Sequence, residues 1–212
     1  MAAMISRDVT AIVPVKALAN AKTRLAPELG SAQRRELMGW MARRVVGACA
    51  AARSIAGVVV VAGDDPAAAL VRDLADVVIV QSGHGLNAAL RAGDAAVATA
   101  ASLVIAADLP LVRSQDVDAI CTHGSEEGTV VVAETLDGGT GAMLRRPARG
   151  IDPAYGPGSA VRHRARAEAR GLRVRTFSEP GLALDIDTPA ALATARARDL
   201  ELDRWVRDIL GA

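Results

Sequence analysis

The 212-residue chain has few aromatics: Trp40, Tyr155, Phe177 and Trp205 are all of them. Single-stranded nucleic acid is held by stacking bases on aromatic faces, and this chain has little to stack them on. Its formal net charge is +1, so it also lacks the field that draws proteins to nucleic acid. Cys49 and Cys121 are the two cysteines and form no CxxC. They are expected to be reduced core thiols of a cytosolic protein. No apolar run reaches the roughly 18 residues of a membrane span. The N-terminus carries no signal-peptide pattern, so a cytoplasmic protein without a membrane partner is expected. There is no low-complexity linker, long charge run or internal repeat, and residues 1–212 read as one domain.

Several motifs are missing as well. No GxGxxG follows the first apolar run, which disfavours a dinucleotide oxidoreductase. There is no GxxxxGK[ST], no GxSxG elbow and no Cys/His set at zinc spacing.

What remains is an aliphatic chain with strand and helix signals in alternation. Ala11–Val15, Val58–Ala62, Val77–Val80, Ser102–Ala106 and Thr129–Ala133 read as strands, the first two of them buried. Continuous aliphatic runs of this kind suit a parallel sheet covered on both faces. Ser31 is expected to cap a helix to about Arg53, with Leu37, Met41, Val45 and Ala48 as its apolar stripe. Gly57 is expected to end the connection after it. Asp65-Pro66 reads as a cap and first-turn proline for a short helix to about Leu74. Ser114 is expected to cap another helix, to about Cys121. Beyond residue 123 the order becomes strand, strand, helix, strand, which predicts an antiparallel insertion in a mixed sheet. Arg162, Arg166 and Arg170 form one helical stripe, expected to be mainly a solvated face. The amphipathic helix at about Leu200–Leu210 packs either on its own sheet or on a second subunit, so the chain is expected to be a monomer or homodimer.

The chain is organised around Thr10–Pro27. A buried strand opens there into a loop with Lys16, Lys22 and Arg24. Ligands of open α/β sheets bind beyond the carboxyl ends of the strands, and three cations in nine residues there point to phosphates. Solvated charges on an ordinary connection are the plainer alternative. Asp108 follows the fourth strand. Asp185 and Asp187 alternate in a strand-like stretch, so their side chains point the same way. Three converging carboxylates need a cation among them, and hard oxygen ligands suit Mg²⁺. Asp187 would otherwise serve as a helix N-cap. Ser159 follows Gly156-Pro157-Gly158 at a helix start, where open amides suit an anion. His163 shares its face, although a lone histidine is more often structural. Thr140, set between glycines, offers a second anion contact or simply a hairpin turn. Gly85 and Asn87 close a loop, Gln81–Asn87, whose glycines let a ligand approach the backbone.

The segments VPVKALANAKTRLAP, AADLPL, GGTGAML, YGPGSAVRH and LDIDTPAAL occur in this order between residues 13 and 192. Together they resemble the guanylyltransferases that make the activated phospho-acid precursor of coenzyme F-420, relatives of the molybdenum-cofactor nucleotidyltransferases. The resemblance implies a Rossmann-like α/β nucleotidyltransferase domain with a mostly parallel sheet. It implies transfer of GMP from GTP to phosphoenolpyruvate, 2-phospho-L-lactate or 3-phospho-D-glycerate. It gives Lys16, Lys22 and Arg24 to the GTP phosphates and Asp108, Asp185 and Asp187 to Mg²⁺. Thr140, Gly156 and Ser159, with His163 beside them, go to the phospho-acid, and Gly85–Asn87 to the guanine or ribose. Gly158 stands where family members often carry an acidic or amide residue, and the identity of the acid stays open. A nucleotide-sugar glycosyltransferase, another nucleotidyltransferase and a non-catalytic nucleotide-binding module remain as rivals.

Overall fold

The computed structural model describes residues 6–18, 22–81 and 85–211. Seven strands form one sheet: β1 (Val9–Val15), β2 (Ile55–Ala62), β3 (Val77–Val80), β4 (Ala101–Ile105), β5 (Thr129–Glu134), β6 (Thr140–Arg146) and β7 (Arg173–Phe177). Their order is β3-β2-β1-β4-β6-β5-β7. All pairings are parallel except those of β6, which runs antiparallel to β4 and β5. The mixed sheet with its antiparallel insertion is therefore as the sequence predicts.

The helices are α1 (Ser31–Ala51), α2 (Asp65–Ala69), α3 (Gly85–Ala95), α4 (Ser114–His123), α5 (Ser159–Ala169), α6 (Pro180–Ala183), α7 (Pro189–Arg198) and α8 (Leu200–Leu210). Strand residues alternate between two apolar layers, as the two-residue period of a strand requires. Ala11, Val13, Val58, Val60, Leu103 and Ile105 face one layer, with Leu37 of α1, Ile120 of α4 and Leu202 of α8. Ile12, Val59, Val61 and Val104 face the other, with Leu90 of α3 and Ala160 of α5. Helix α8 docks on its own chain: Leu202 and Val206 are fully buried, and Trp205 stacks on Trp40 at 5.6 Å. Among the described residues no helix is long and apolar enough to cross a membrane.

The differences from expectation are local. Gly57 lies inside β2 rather than before it, because parallel pairing of Gly57 with Thr10 outweighs one glycine's poor strand propensity. Asp64, not Asp65, caps α2 by accepting from the Ala67 N–H at 2.8 Å. Ser31 and Ser114 begin their helices rather than cap them. Before α4, the Asp116 carboxylate reaches back to the Arg113 N–H at 2.9 Å and does the capping itself.

Candidate active site

Strands β2 and β3 lie on one side of β1, and β4 on the other. The gap beyond the carboxyl ends of β1 and β4 is thus a topological switch point, where open α/β sheets leave a crevice. A cleft of about 290 Å³ opens there, lined by Lys16, Lys22, Arg24, Asp108 and Asp187 among others. Each charged group arrives by a traceable route. Lys16 follows β1, and Asp108 follows β4 by three residues. Residues 184–187 form no strand, contrary to expectation. They still run extended past Asp108, whose carbonyl accepts from the Ile186 N–H at 3.2 Å. Leu184 and Ile186 turn into the core while Asp185 and Asp187 stay half-buried. The preceding turn can lie this close because residue 141 is glycine: a Cβ there would sit 2.1 Å from the Leu182 carbonyl oxygen.

Lys22 joins the carboxylates. Its ammonium donates to Asp108 Oδ2 and Asp187 Oδ1, both at 2.6 Å, and its side chain is 5 % exposed. Burial lowers the Lys22 pKa, but Asp108 and Asp187 outweigh burial and raise it above the ordinary value. The Lys22 backbone is left-handed, with φ 51°, a cost of about 1 kcal/mol that tends to persist at functional sites. Burial pushes Asp187 up, and the charges of Lys22, Lys16 and Arg24 more than reverse that. Thr188 caps α7 by accepting from the Ala191 N–H at 3.2 Å, so Asp187 is not the cap.

Asp185 differs from its neighbours. Burial, then the charges of Asp108, Asp137 and Asp187, raise it to about 6. No salt bridge among the described residues reaches it. One oxygen from each of Asp108, Asp185 and Asp187 lies within 4.8 Å of the others. Three hard oxygen donors with one carboxylate left uncompensated fit a divalent cation of the Mg²⁺ kind.

A second polar cluster sits at the amino end of β6. Because β6 is antiparallel to β4, that end shares the edge with Asp108, and the Gly141 carbonyl accepts from the Ala106 N–H at 2.8 Å. Ser159 Oγ bonds Thr140 Oγ1 at 3.0 Å, and His163 Nδ1 lies 3.0 Å from the same hydroxyl. His163 Nε2 accepts from the Ala154 N–H at 2.9 Å. A neutral ring therefore carries its proton on Nδ1 and donates it to Thr140. Both ring nitrogens are used within the protein and His163 is fully buried. It orients Thr140 and leaves no nitrogen for a substrate. The expectation of open amides at Ser159 also changes: its N–H bonds the Gly156 carbonyl and that of Ala160 the Gly138 carbonyl.

Burial, then Arg166, Arg162 and Arg145, lower the His163 pKa to about 4. The unfolded imidazole takes up its proton near pH 6.5 and the folded one only near 4, so stability is lost as pH falls between them. The loss from this group is about 2 kcal/mol between pH 7 and pH 5. The raised Asp185 acts with the opposite sign, so the measurement is the difference between wild type and His163→Gln in urea unfolding. Wild type should lose about 2 kcal/mol relative to the variant over that interval. Parallel stability curves would show that the buried ring is not held neutral.

Asn87 is placed differently from its expected role. Its amide donates to the Tyr155 carbonyl at 3.1 Å and accepts from the Tyr155 N–H at 2.8 Å. The side chain thus bolts α3 to the loop before α5. Gly85 has φ 71° and open space around it. Ser82, Gly83 and His84 of the same loop lie outside the described residues. The Arg162, Arg166 and Arg170 stripe is exposed, as expected of a solvated face, and it also has a structural role. It donates to carbonyls of Ala154, Pro157, Asp152, Pro153 and Gly150 and so holds the loop that carries Gly156. Gly156, with φ 133°, adopts a backbone that side chains disfavour.

Sheet order, crevice and charge pattern together define an α/β domain of the nucleotidyltransferase class. Solved structures share the fold: a nucleotidyl transferase from Methanothermobacter thermautotroptrophicus superimposes with TM-score 0.67 at 17% identity, covering 92% of this chain and 99% of that one. A CMP:2-keto-3-deoxy-manno-octonic acid synthetase does so at TM-score 0.60 and 16% identity, covering 90% and 97%. The family model described as "Guanylyl transferase CofC like" matches residues 9–195, and the chain belongs to that family. It is 39% identical over 185 residues to a phosphoenolpyruvate guanylyltransferase of Sphaerobacter thermophilus, covering 86% of this chain and 89% of the relative. It is 38% identical over 194 residues to one of Rubrobacter xylanophilus, covering 90% and 94%.

Proposed function

We propose that this chain transfers GMP from GTP to a three-carbon phosphorylated acid, foremost phosphoenolpyruvate, in coenzyme F-420 biosynthesis, in a cytoplasmic setting. The observation that carries this reading is one sheet edge with two polar centres. One is the Lys22–Asp108–Asp187 cluster in a cationic cleft, and the other is the Thr140–Ser159 hydroxyl pair. Lys16, Lys22 and Arg24 hold the triphosphate. Thr140 and Ser159, with the Gly156 turn, hold the acid. An oxygen of the acceptor phosphate, already ionised at neutral pH, attacks the α-phosphorus. The bond from that phosphorus to the bridging oxygen of the β-phosphate breaks, and pyrophosphate leaves with the electron pair. No general base is needed, so catalysis rests on in-line positioning and charge neutralisation. Asp108, Asp185 and Asp187 would hold Mg²⁺, which supplies charge neutralisation between the phosphates.

The test is pyrophosphate release with Mg²⁺, each of the four nucleoside triphosphates being paired with each of the three acids. Release confined to GTP with one acid establishes the reaction. No release in any pair with folded protein would favour a sugar-nucleotide transferase or a non-catalytic binder.

Ser159→Ala should raise the KM for the acid about tenfold or more and leave that for GTP within about twofold, as expected for one lost phosphate contact. Equal effects on both would remove Ser159 from the acceptor site.

A further inference from the structure

The segment that carries Lys16 into the cleft is held by residues outside the cleft. Just past β2, the Gly63 N–H donates to the Val15 carbonyl at 2.8 Å. A Cβ on residue 63 would stand 2.5 Å from the Ala17 nitrogen, so the two segments can cross this closely only over a glycine. Asp64, the next residue, divides its carboxylate between two tasks. Oδ1 accepts from the Ala67 N–H at 2.8 Å and caps α2. Oδ2 accepts from the Leu18 N–H at 3.0 Å. The Leu18 side chain is itself buried, in the apolar layer that holds Leu37 of α1. Val15, Ala17 and Leu18 are thus each fixed by the turn between β2 and α2. Lys16 lies among them, exposed and lining the charged cleft.

We propose that Asp64 is a positioning residue for nucleotide binding: with Gly63 it fixes the Lys16–Leu18 segment so that the Lys16 ammonium meets the triphosphate. The proposal rests on the guanylyltransferase reading above. A helix cap needs one side-chain oxygen, and the second oxygen of Asp64 is spent on the segment next to the site. Lysine is a point charge on a flexible stem, so where its ammonium falls depends on how firmly its backbone is held. Charges stabilise a phosphoryl-transfer site when they are fixed in advance, and small misplacements are costly. The charge of Asp64 cannot be what helps. An anion beside a phosphate-binding segment repels phosphates, so charge alone predicts tighter GTP binding once Asp64 is neutralised. The tether predicts the opposite.

Asp64→Ser keeps an oxygen for the α2 cap but is too short to hold Leu18 as well. It should raise the KM for GTP about tenfold or more, as for one misplaced charge-assisted contact, and leave the KM for the acid within about twofold. Asp64→Ala loses the cap too. It should show the same rise in KM for GTP at a lower melting temperature, so that the effect on GTP does not follow stability. Gly63→Ala, which displaces Ala17 from the other side, should also raise the KM for GTP more than that for the acid. The tether itself is read by hydrogen exchange: the Leu18 amide should exchange at least about tenfold faster in Asp64→Ser than in wild type. An unchanged or lower KM for GTP in folded Asp64→Ser, an equal rise for both substrates, or unchanged exchange at Leu18 overturns the proposal. If wild type releases pyrophosphate from no nucleotide, the enzymatic reading fails instead. Leu18 exchange and equilibrium binding of inorganic tripolyphosphate then decide the role of Asp64. Faster exchange with weaker binding in Asp64→Ser supports it, and no change in either overturns it.

Discussion

Asp187→Asn should lower kcat by about a thousandfold or more while leaving the melting temperature within a few degrees of wild type. The activity loss follows from the position of this carboxylate. It holds one side of the Lys22 ammonium at 2.6 Å, opposite Asp108, and it belongs to the set of three carboxylates that fits a divalent cation. The asparagine oxygen can still accept from Lys22, so geometry is nearly kept, but the charge is gone. Loss of one preorganised charge partner at a phosphoryl-transfer site costs about two to three powers of ten, and loss of a metal ligand adds to it. Stability should change little for two reasons. The Asp187 side chain is 41 % exposed, and Asp108 remains to compensate Lys22. Removing one negative charge also relieves the repulsion that raises Asp185. Pyrophosphate release at saturating GTP and Mg²⁺, with a thermal melt on the same samples, makes the comparison. Near-normal turnover would remove Asp187 from the catalytic set. A large fall in melting temperature would show that its role is structural.

Aliphatic runs carried the sheet, because a short, β-branched run such as Val58–Ala62 suits a strand buried on both faces better than a helix. Periodicity carried the carboxylates. Leu184-Asp185-Ile186-Asp187 alternates apolar and acidic residues, and that alternation sends both acids to one side even though no strand forms. What sequence could not show is which polar groups are already occupied. Asn87 and His163 are residue types that bind ligands, yet backbone groups of Tyr155 and Ala154 take their hydrogen bonds. The arginine stripe of α5 has the spacing of a solvated face, and nothing in that spacing reveals the irregular carbonyls beneath it. Gly158 caps α5 with φ 67°, a left-handed backbone. Glycine, asparagine and aspartate are the residues that tolerate this conformation, so backbone geometry accounts for the glycine here. The Arg145–Asp94 pair had no sequence signal, since a buried charge is a property of packing.

That pair yields the largest expected effect on stability. Arg145, next to the carboxyl end of β6, is 0% exposed. Its guanidinium donates to both carboxylate oxygens of Asp94, at 2.5 and 3.1 Å, and also to Ser102 Oγ and the Ile151 carbonyl, each at 3.1 Å. Asp94→Ala would leave this cation buried without a counter-charge, which costs about 3–5 kcal/mol. For a domain of this size that is a fall in melting temperature of about 10 °C or more. Replacing both partners by apolar residues, as in Asp94→Leu with Arg145→Met, should cost less than Asp94→Ala alone, because no charge is then stranded. A single variant as stable as wild type, or a double variant worse than the sum of its parts, would show that the pair is incidental. The bond to Ile151 extends the consequence to the site. Arg145 anchors the start of the segment that continues through Ala154 and Gly156 to Ser159. Asp94→Ala, assayed below its melting temperature, should therefore raise the KM for the acid more than the KM for GTP, whose cationic cleft lies on the other side of β4.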